Sequence, residues 1–183
     1  GEIEAAANNK LPKLIGYKDL KGDLQIHSTW TDGANSIKEM AEEAGRIGLE
    51  YIVISDHSKT LAMTGGLDEE MLLKQGNEID ELNMQVTGMK ILKGVELNIL
   101  KDGSVDISDK ILEGLDVVGA GVHSHFNLGR EEMTRRVLKA IENPNVDMLC
   151  HPTGRQIQKR EPIQLDMERI IEVAKDTGTI LDI

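Results

Sequence analysis

Aromatic side chains make up only 2% of this 183-residue sequence, and Cys150 is its single cysteine. The shortage of aromatics leaves leucine, isoleucine, valine and methionine to fill a hydrophobic core. A lone cysteine excludes an internal disulfide and is typical of a reducing compartment, so we expect a cytoplasmic protein. The sequence has no apolar run of membrane-spanning length and no signal-peptide pattern at its start, which predicts no membrane partner.

Positive charge is also scarce, because 21 lysines and arginines face 32 aspartates and glutamates, for a net charge of -11. An acidic surface argues against electrostatic binding of nucleic acid by this chain alone, whereas clustered carboxylates suit divalent cations. The sequence begins with Gly1 instead of methionine and stops at Ile183 inside an apolar run. We therefore expect both ends to have been cut from a longer protein.

Strand and helix patterns alternate after residue 21, where we expect a lead-in segment (1–21) to give way to one domain (22–183). Strands are predicted over residues 22–27, 49–55, 90–97, 115–123, 146–150 and 179–183, and helices over 36–47, 68–86, 106–113, 130–141 and 165–176. Nearly continuous apolar strands are buried on both faces, and the alternation predicts parallel strands with right-handed crossovers. Both an open doubly wound sheet and a (βα) barrel satisfy this α/β pattern.

Metal-binding side chains recur where the predicted strands end. All five histidines lie there or just beyond, together with two acidic residues: His27, Asp32, His57, Glu96, His123, His125 and His151. Five successive strands contribute to one place at the C-terminal face of a barrel, so we favour the barrel over the open sheet. Imidazole and carboxylate groups suit zinc, manganese or iron, and Glu96 could bridge two ions.

Neighbouring residues at two strand ends compete for the role of ligand. Asp56 and His57 point in different directions from an extended chain. We expect His57 to be the ligand and Asp56 to orient a neighbour or to accept from a loop N–H. His123 ends an apolar run and is the better ligand there, whereas His125 is a candidate for a catalytic or substrate contact, or for an exposed loop residue.

Two cations are candidates for binding a phosphate. Arg155 could do so through a bidentate contact, and a surface charge explains it equally well. Lys59 has a similar but weaker claim. Cys150 is expected to be core packing. No helix pattern follows Gly119-Ala120-Gly121 directly, so this run predicts close backbone packing and not a dinucleotide-binding loop.

Five stretches resemble the motifs of the polymerase-and-histidinol-phosphatase (PHP) superfamily: GDLQIHSTWTDG, YIVISDHSKTLAMTGGL, ILKGVELNIL, VVGAGVHSHF and NPNVDMLCHPTGR. They are most similar to the C-terminal PHP domain of bacterial and archaeal family-X DNA polymerases, and residues 1–21 resemble the linker from the polymerase domain. The resemblance implies a distorted seven-stranded (βα) barrel. Because the sequence stops after about six strands, it also implies a barrel that is truncated at its C-terminus.

The resemblance further implies up to three divalent metal ions. It assigns His27 to one metal, Glu96 as its bridge to a second, His123 and His151 to the second, and Asp32 and His57 to a third. Gln25 departs from the family, which usually has a histidine there. The closing Asp-x-His motif has no counterpart before Ile183, which would remove one ligand from the first metal and one from the third.

The activity implied for the intact domain is manganese-dependent 3′–5′ exonuclease and 3′-end processing of DNA, with zinc or iron as other possible ions. A hydroxide held by the metal ligands would be the nucleophile, and the polymerase domain would supply broader DNA affinity. The alternatives are a small-molecule phosphomonoesterase of the histidinol-phosphatase type, a metal-stabilised scaffold without activity, which Gln25 favours, and a weaker match to an amidohydrolase-like enzyme. Without the closing strand, we expect this chain to have little or no nuclease activity.

Overall fold

A parallel β-sheet runs through the chain from residue 22 onward in the computed structural model, which describes residues 1–182. Its six strands within those residues are β1 (Gly22–Ile26), β2 (Tyr51–Ile54), β3 (Lys90–Asn98), β4 (Val117–Gly121), β5 (Met148–Leu149) and β6 (Ile180–Leu181). Each strand pairs in parallel with the next in sequence, in the order β1-β2-β3-β4-β5-β6. This order is that of a (βα) barrel, because a doubly wound sheet reverses its strand order at a switch point. The α/β barrel prediction is confirmed as a curled half-barrel, in which β1 and β6 do not pair within the described part of the chain.

Six α-helices accompany the strands in the described part of the chain: α1 (Glu2–Ala7), α2 (Ile37–Ile47), α3 (Glu69–Asn83), α4 (Asp109–Leu112), α5 (Arg130–Ile141) and α6 (Met167–Thr177). Local sequence explains where they begin. Ser36 and Glu39 form a capping box at the start of α2, and Asp68 caps α3, as predicted, by accepting from the Met71 N–H. The predicted helix over 106–113 begins three residues late, because the Asp106 carboxylate is turned inward.

Aliphatic side chains form two hydrophobic clusters against the sheet. The larger lies around β3 to β5 and includes Val95, Leu97, Val118, Leu149, Val137, Ile141 and Ile170. The smaller joins β2 and β3 to α2 and α3 through Ile37, Ile52, Ile54, Ile79 and Ile91. Trp30 and Phe126 only pack against the edges of these clusters, so aliphatic residues fill the core as the composition predicted.

The first 21 residues contribute no strand to the sheet, and six of their large apolar side chains are exposed: Ile3, Leu11, Leu14, Ile15, Tyr17 and Leu20. Within residues 1–182, none of the helices combines the length and the apolar character needed to cross a membrane.

Candidate metal centre

The Glu96 carboxylate is buried at the C-terminal ends of the strands and faces four of the five histidines. Its Oε1 lies 3.0 Å from His123 Nε2 and 2.7 Å from His151 Nε2. Its Oε2 lies 3.1 Å from His27 Nε2 and 3.5 Å from His57 Nδ1. We refer to His123 and His151 as the Oε1 side. The Oε2 side comprises His27, His57 and Asp32.

Asp32 closes the Oε2 side from the loop that follows β1. Its Oδ1 lies 2.9 Å from His27 Nδ1, and its Oδ2 lies 3.6 Å from His57 Nε2. The loop is tight, because the Gly33 N–H donates to the carbonyl of Ser28 and a Cβ at Gly33 would lie 2.1 Å from the His27 carbonyl oxygen. The Asp-Gly turn seen in the sequence therefore directs an acidic side chain towards two imidazoles.

Asp56 supports the same loop from behind. Its buried carboxylate accepts from Ser28 N (2.8 Å), Ser28 Oγ (2.6 Å) and Gln75 Nε2 (2.7 Å), and also from the Thr31 hydroxyl. These bonds tie the end of β2 to the loop that contains Asp32. The geometry agrees with the prediction that His57 faces the site while Asp56 satisfies a loop N–H.

A second polar cluster, which the sequence analysis missed, lies behind His123. Asn98 Oδ1 is 2.8 Å from His123 Nδ1, and Asn98 Nδ2 donates to Asp106 Oδ2 at 2.9 Å. Ser58 Oγ also donates to Asp106. The available signal was the two-residue spacing of Glu96 and Asn98, because alternate residues of a strand share one face.

Gly121 at the end of β4 leaves room for the Oε1 side. A Cβ built there would lie 2.7 Å from His151 Cε1, 3.0 Å from His123 Cε1 and 3.2 Å from Glu96 Oε1. Two residues earlier, a Cβ at Gly119 would lie 2.6 Å from Cys150 Sγ. The Gly-Ala-Gly run was predicted to pack closely against other backbone, whereas the atoms nearest to these two positions belong to side chains.

The ionisable side chains of the cavity shift one another's pKa. Burial opposes protonation of His27, but Glu96 and Asp32 outweigh it and raise the pKa of His27 to about 9. Burial also opposes protonation of His151, but the Glu96 carboxylate outweighs this effect and raises the pKa of the imidazole. Burial would raise the pKa of Glu96, yet its close contacts with the ring nitrogens of His123, His151 and His27 hold that pKa far below its usual range. Burial lowers the pKa of His57. The cavity therefore combines an ionised, buried carboxylate with imidazoles that supply positive charge.

This donor set fits divalent cations. The groups His27–Asp32–His57 and His57–Glu96–His123 each offer three ligand atoms within 4.8 Å of one another. Among residues 1–182, His57 Nδ1 is buried without a hydrogen-bond partner, which is a cost that a bound cation would remove. Nitrogen and carboxylate ligands suit zinc, manganese and iron. The first group differs from the implied assignment, which separates His27 from Asp32 and His57.

The cavity has a volume of about 450 Å³, and Gln25, Arg155 and Arg160 contribute to its lining. The guanidinium of Arg160, which the sequence analysis did not single out, lies 3.8 Å from the Phe126 ring centroid, and its Nε donates to the Gly154 carbonyl at 2.8 Å. Its place in the site depends on this tertiary packing, for which the sequence carries no clear signal.

Two of the predicted site residues lie outside the cavity lining. Lys59 pairs with Glu69 at 2.8 Å. His125 is exposed on a turn with a left-handed backbone (φ 52°). Cys150 is buried, and burial raises the pKa of its thiol, which agrees with the predicted packing role.

Comparison with known proteins gives two kinds of curated relative. The chain is 44% identical over 171 residues to the DNA polymerase/3′-5′ exonuclease PolX of Bacillus subtilis, an alignment that covers 93% of this chain and 30% of that protein. It is 35% identical over 166 residues to a probable phosphatase of Syntrophotalea carbinolica, covering 88% of this chain and 64% of that protein. The chain thus spans less than two thirds of the length of either relative.

A solved structure and a family model agree with the observed fold. The histidinol phosphate phosphatase of Lactococcus lactis, solved with zinc, L-histidinol and phosphate, superposes with a TM-score of 0.60 over 89% of this chain and 72% of its own. At 18% identity this is a likeness of fold alone. The PHP domain model matches residues 23–177, which is most of the sequence. The chain therefore belongs to the PHP domain family, as its motifs predicted.

Proposed function

We propose that this PHP domain is a metal-dependent phosphoesterase that hydrolyses DNA phosphodiesters from the 3′ end as part of a family-X DNA polymerase. One observation carries the hydrolytic activity: four histidines and Asp32 from separate chain segments converge on the buried Glu96. The 44% identity with the Bacillus polymerase and exonuclease favours DNA as the substrate.

Each side of Glu96 would hold divalent cations, up to three in all. His123 and His151 would bind on the Oε1 side, and His27, Asp32 and His57 on the Oε2 side. We expect manganese in the active enzyme, with zinc or iron as alternatives. When bound, such cations supply positive charge opposite phosphate oxygens and lower the pKa of a coordinated water.

The arginines of the cavity would bind the phosphate of the substrate. Four of the seven arginines pair with carboxylates, namely Arg46, Arg130, Arg135 and Arg169, while the buried Arg136 donates to backbone carbonyls. Arg155 and Arg160 have no carboxylate partner within residues 1–182, and both line the cavity. Phe126 and Gly154 hold Arg160 in place, which reduces the entropy that binding an anion would cost.

The chain's own nucleophiles do not fit a covalent mechanism. Cys150 is buried beneath Gly119, and its raised pKa keeps the thiol protonated at neutral pH. Water is therefore the attacking group that we propose. Lys59 and His125 stay predicted substrate and catalytic contacts, which would require Lys59 to leave Glu69 and the turn at His125 to move.

We extend the proposal to the surroundings of the domain. Residues 1–21 would be the linker to a polymerase domain, and residues 22–183 the PHP domain itself. Because the net charge is -11, most of the affinity for DNA would come from the polymerase domain. The proposed location is the cytoplasm.

A small-molecule phosphatase is the second candidate. Relatives such as that of Syntrophotalea carbinolica are named probable phosphatases, and the Lactococcus neighbour in fold is a histidinol phosphate phosphatase. A metal-stabilised scaffold without activity is the third, favoured by Gln25 in the cavity lining.

A substrate comparison separates these candidates. The 183-residue chain and the complete reading frame that encodes it are each assayed with manganese on a 3′-recessed DNA duplex and on histidinol phosphate. The proposal predicts shortening of the DNA 3′ end by the complete protein, loss of that activity in its His123→Ala variant, and little activity of the 183-residue chain. Preferential turnover of histidinol phosphate supports the phosphatase, and bound metal without cleavage of either substrate supports the scaffold.

A further inference from the structure

We propose that Asn98, held by Asp106, is a positioning residue that fixes the His123 ring with its unprotonated Nε2 towards Glu96. This inference rests on the proposed function only in that it takes the space beside Glu96 as a cation site. Neither Asn98 nor Asp106 is among the proposed metal ligands.

The Asn98 side chain is buried at the end of β3 and is hydrogen-bonded on both sides. Its Nδ2 donates to Asp106 Oδ2 and to Ser58 Oγ, each at 2.9 Å. Its Oδ1 lies 2.8 Å from His123 Nδ1. The amide thus connects a carboxylate on one side to an imidazole on the other.

Asp106 determines the orientation of the Asn98 amide group. Its carboxylate also receives the backbone N–H groups of Thr60 (3.0 Å) and Asn98 (3.1 Å) and the Ser58 hydroxyl (2.7 Å). Burial alone would raise the pKa of Asp106, but donors on Asn98, Ser58 and Thr60 lower it. An ionised carboxylate only accepts hydrogen bonds, so the NH₂ group of Asn98 must face Asp106 and the amide oxygen must face His123.

The tautomer of His123 follows from that orientation. An amide oxygen only accepts, so His123 Nδ1 must carry the proton that the 2.8 Å contact requires. In the neutral ring, Nε2 then presents a lone pair 3.0 Å from Glu96 Oε1. Two lone pairs at this distance repel each other unless positive charge lies near both, which is the arrangement of two ligands that share a cation.

Asp106 also connects the two sides of Glu96. Ser58, which donates to it, directly follows His57, and the Ser58 N–H donates to the backbone carbonyl of Glu96. The Asp106 carboxylate, in the loop before α4, therefore supports His57 on the Oε2 side through Ser58 and His123 on the Oε1 side through Asn98. This explains why Asp106 turns inward and α4 begins only at Asp109.

The test uses Asn98→Leu, which keeps the branched arrangement of side-chain heavy atoms and removes both the acceptor and the donor of the amide. Nitrogen-15 NMR of the histidine rings is recorded on the zinc-free chain at alkaline pH. Zinc affinity is measured by competition with a chelating dye. We expect the Nδ1–H form in the wild type, a shift towards Nε2–H in Asn98→Leu, and a loss of about 10–100-fold in zinc affinity.

Asn83→Leu is the matched control, because Asn83 braces the other end of β3 through the backbone N–H and carbonyl of Ile91 and touches no histidine. It should lower stability without changing the tautomer or the zinc affinity. An Nε2–H form in the wild type, or wild-type tautomer and affinity in Asn98→Leu, would overturn the inference. If Asn98→Leu does not fold, the tautomer of His123 in the wild type decides it. A wild-type chain that binds no zinc contradicts the proposed function, while the zinc-free tautomer still tests Asn98.

Discussion

The two sides of Glu96 are built differently. On the Oε1 side, His123 and His151 follow β4 and β5 and approach the carboxylate to 3.0 and 2.7 Å. On the Oε2 side, His27 and His57 stand at 3.1 and 3.5 Å, and Asp32 reaches them from an exposed loop. Backbone packing at Gly121 and the Asn98–Asp106 pair fix the first side, whereas hydrogen bonds to Asp56 fix the second. We therefore expect the Oε1 side to bind a cation more tightly.

Replacing the residue that both sides share should have the largest effect. Glu96→Gln removes the charge that both sides share and replaces one of the two ligand oxygens with an NH₂ group, which cannot bind a cation, so we expect zinc affinity and phosphoesterase activity to fall by about 100-fold or more. Competition titration and a phosphatase assay measure these quantities. Glu142→Gln removes the same charge from the exposed end of α5 and should leave both unchanged. Two intact zinc sites in Glu96→Gln would show that Glu96 is no bridge.

Gly121→Ala should damage the Oε1 side alone. The added methyl group would overlap the His151 and His123 rings, so we expect the tighter zinc site to be lost or weakened about 10-fold or more while the weaker site remains. Gly119→Ala, two residues earlier on β4, presses on Cys150 instead and should cost about 1–3 kcal/mol of stability with both sites retained. Equal zinc binding by the two variants would contradict the steric role of Gly121.

His57→Ala should affect the opposite side. It removes a ligand from the Oε2 side. The His57 ring packs edge-on against His123, with centroids 5.3 Å apart, but the ligand atoms of His123 and His151 stay in place. We therefore expect the weaker zinc site to disappear and the tighter site to keep its affinity within about threefold. The stoichiometry from isothermal titration calorimetry measures this outcome. A loss of the tighter site instead would reverse the order that we assign to the two sides.

The smallest effect should come from the pH dependence of stability in the zinc-free chain. The pKa of His27 rises from 6.5 to about 9 on folding. The resulting stabilisation is fully present below about pH 6.5 and is lost as the pH rises through about 9, for at most about 3 kcal/mol. Urea unfolding across this range should show stability falling with pH, and His27→Gln should reduce the slope. An unchanged slope would mean that Glu96 and Asp32 do not hold a proton on His27.

Residue types visible in the sequence were enough to predict the sheet and its ligand-bearing rim. Nearly continuous apolar strands marked β2 and β4, and histidines at the strand ends marked the cavity. Asn98 and Asp106 were missed because their role depends on meeting Ser58, which lies 40 residues from Asn98 in sequence. The pairing of Lys59 with Glu69, and the stacking of Arg160 on Phe126, likewise arise only when helices and loops pack together.

The most direct test of a shared cation centre is zinc-edge anomalous diffraction from crystals of the chain grown with zinc. We expect one strong peak between Glu96 Oε1, His123 and His151, and a second, weaker peak between Glu96 Oε2 and the side chains of the Oε2 side. Zinc bound elsewhere on the surface, with Glu96 still in direct contact with four metal-free imidazoles, would contradict the account.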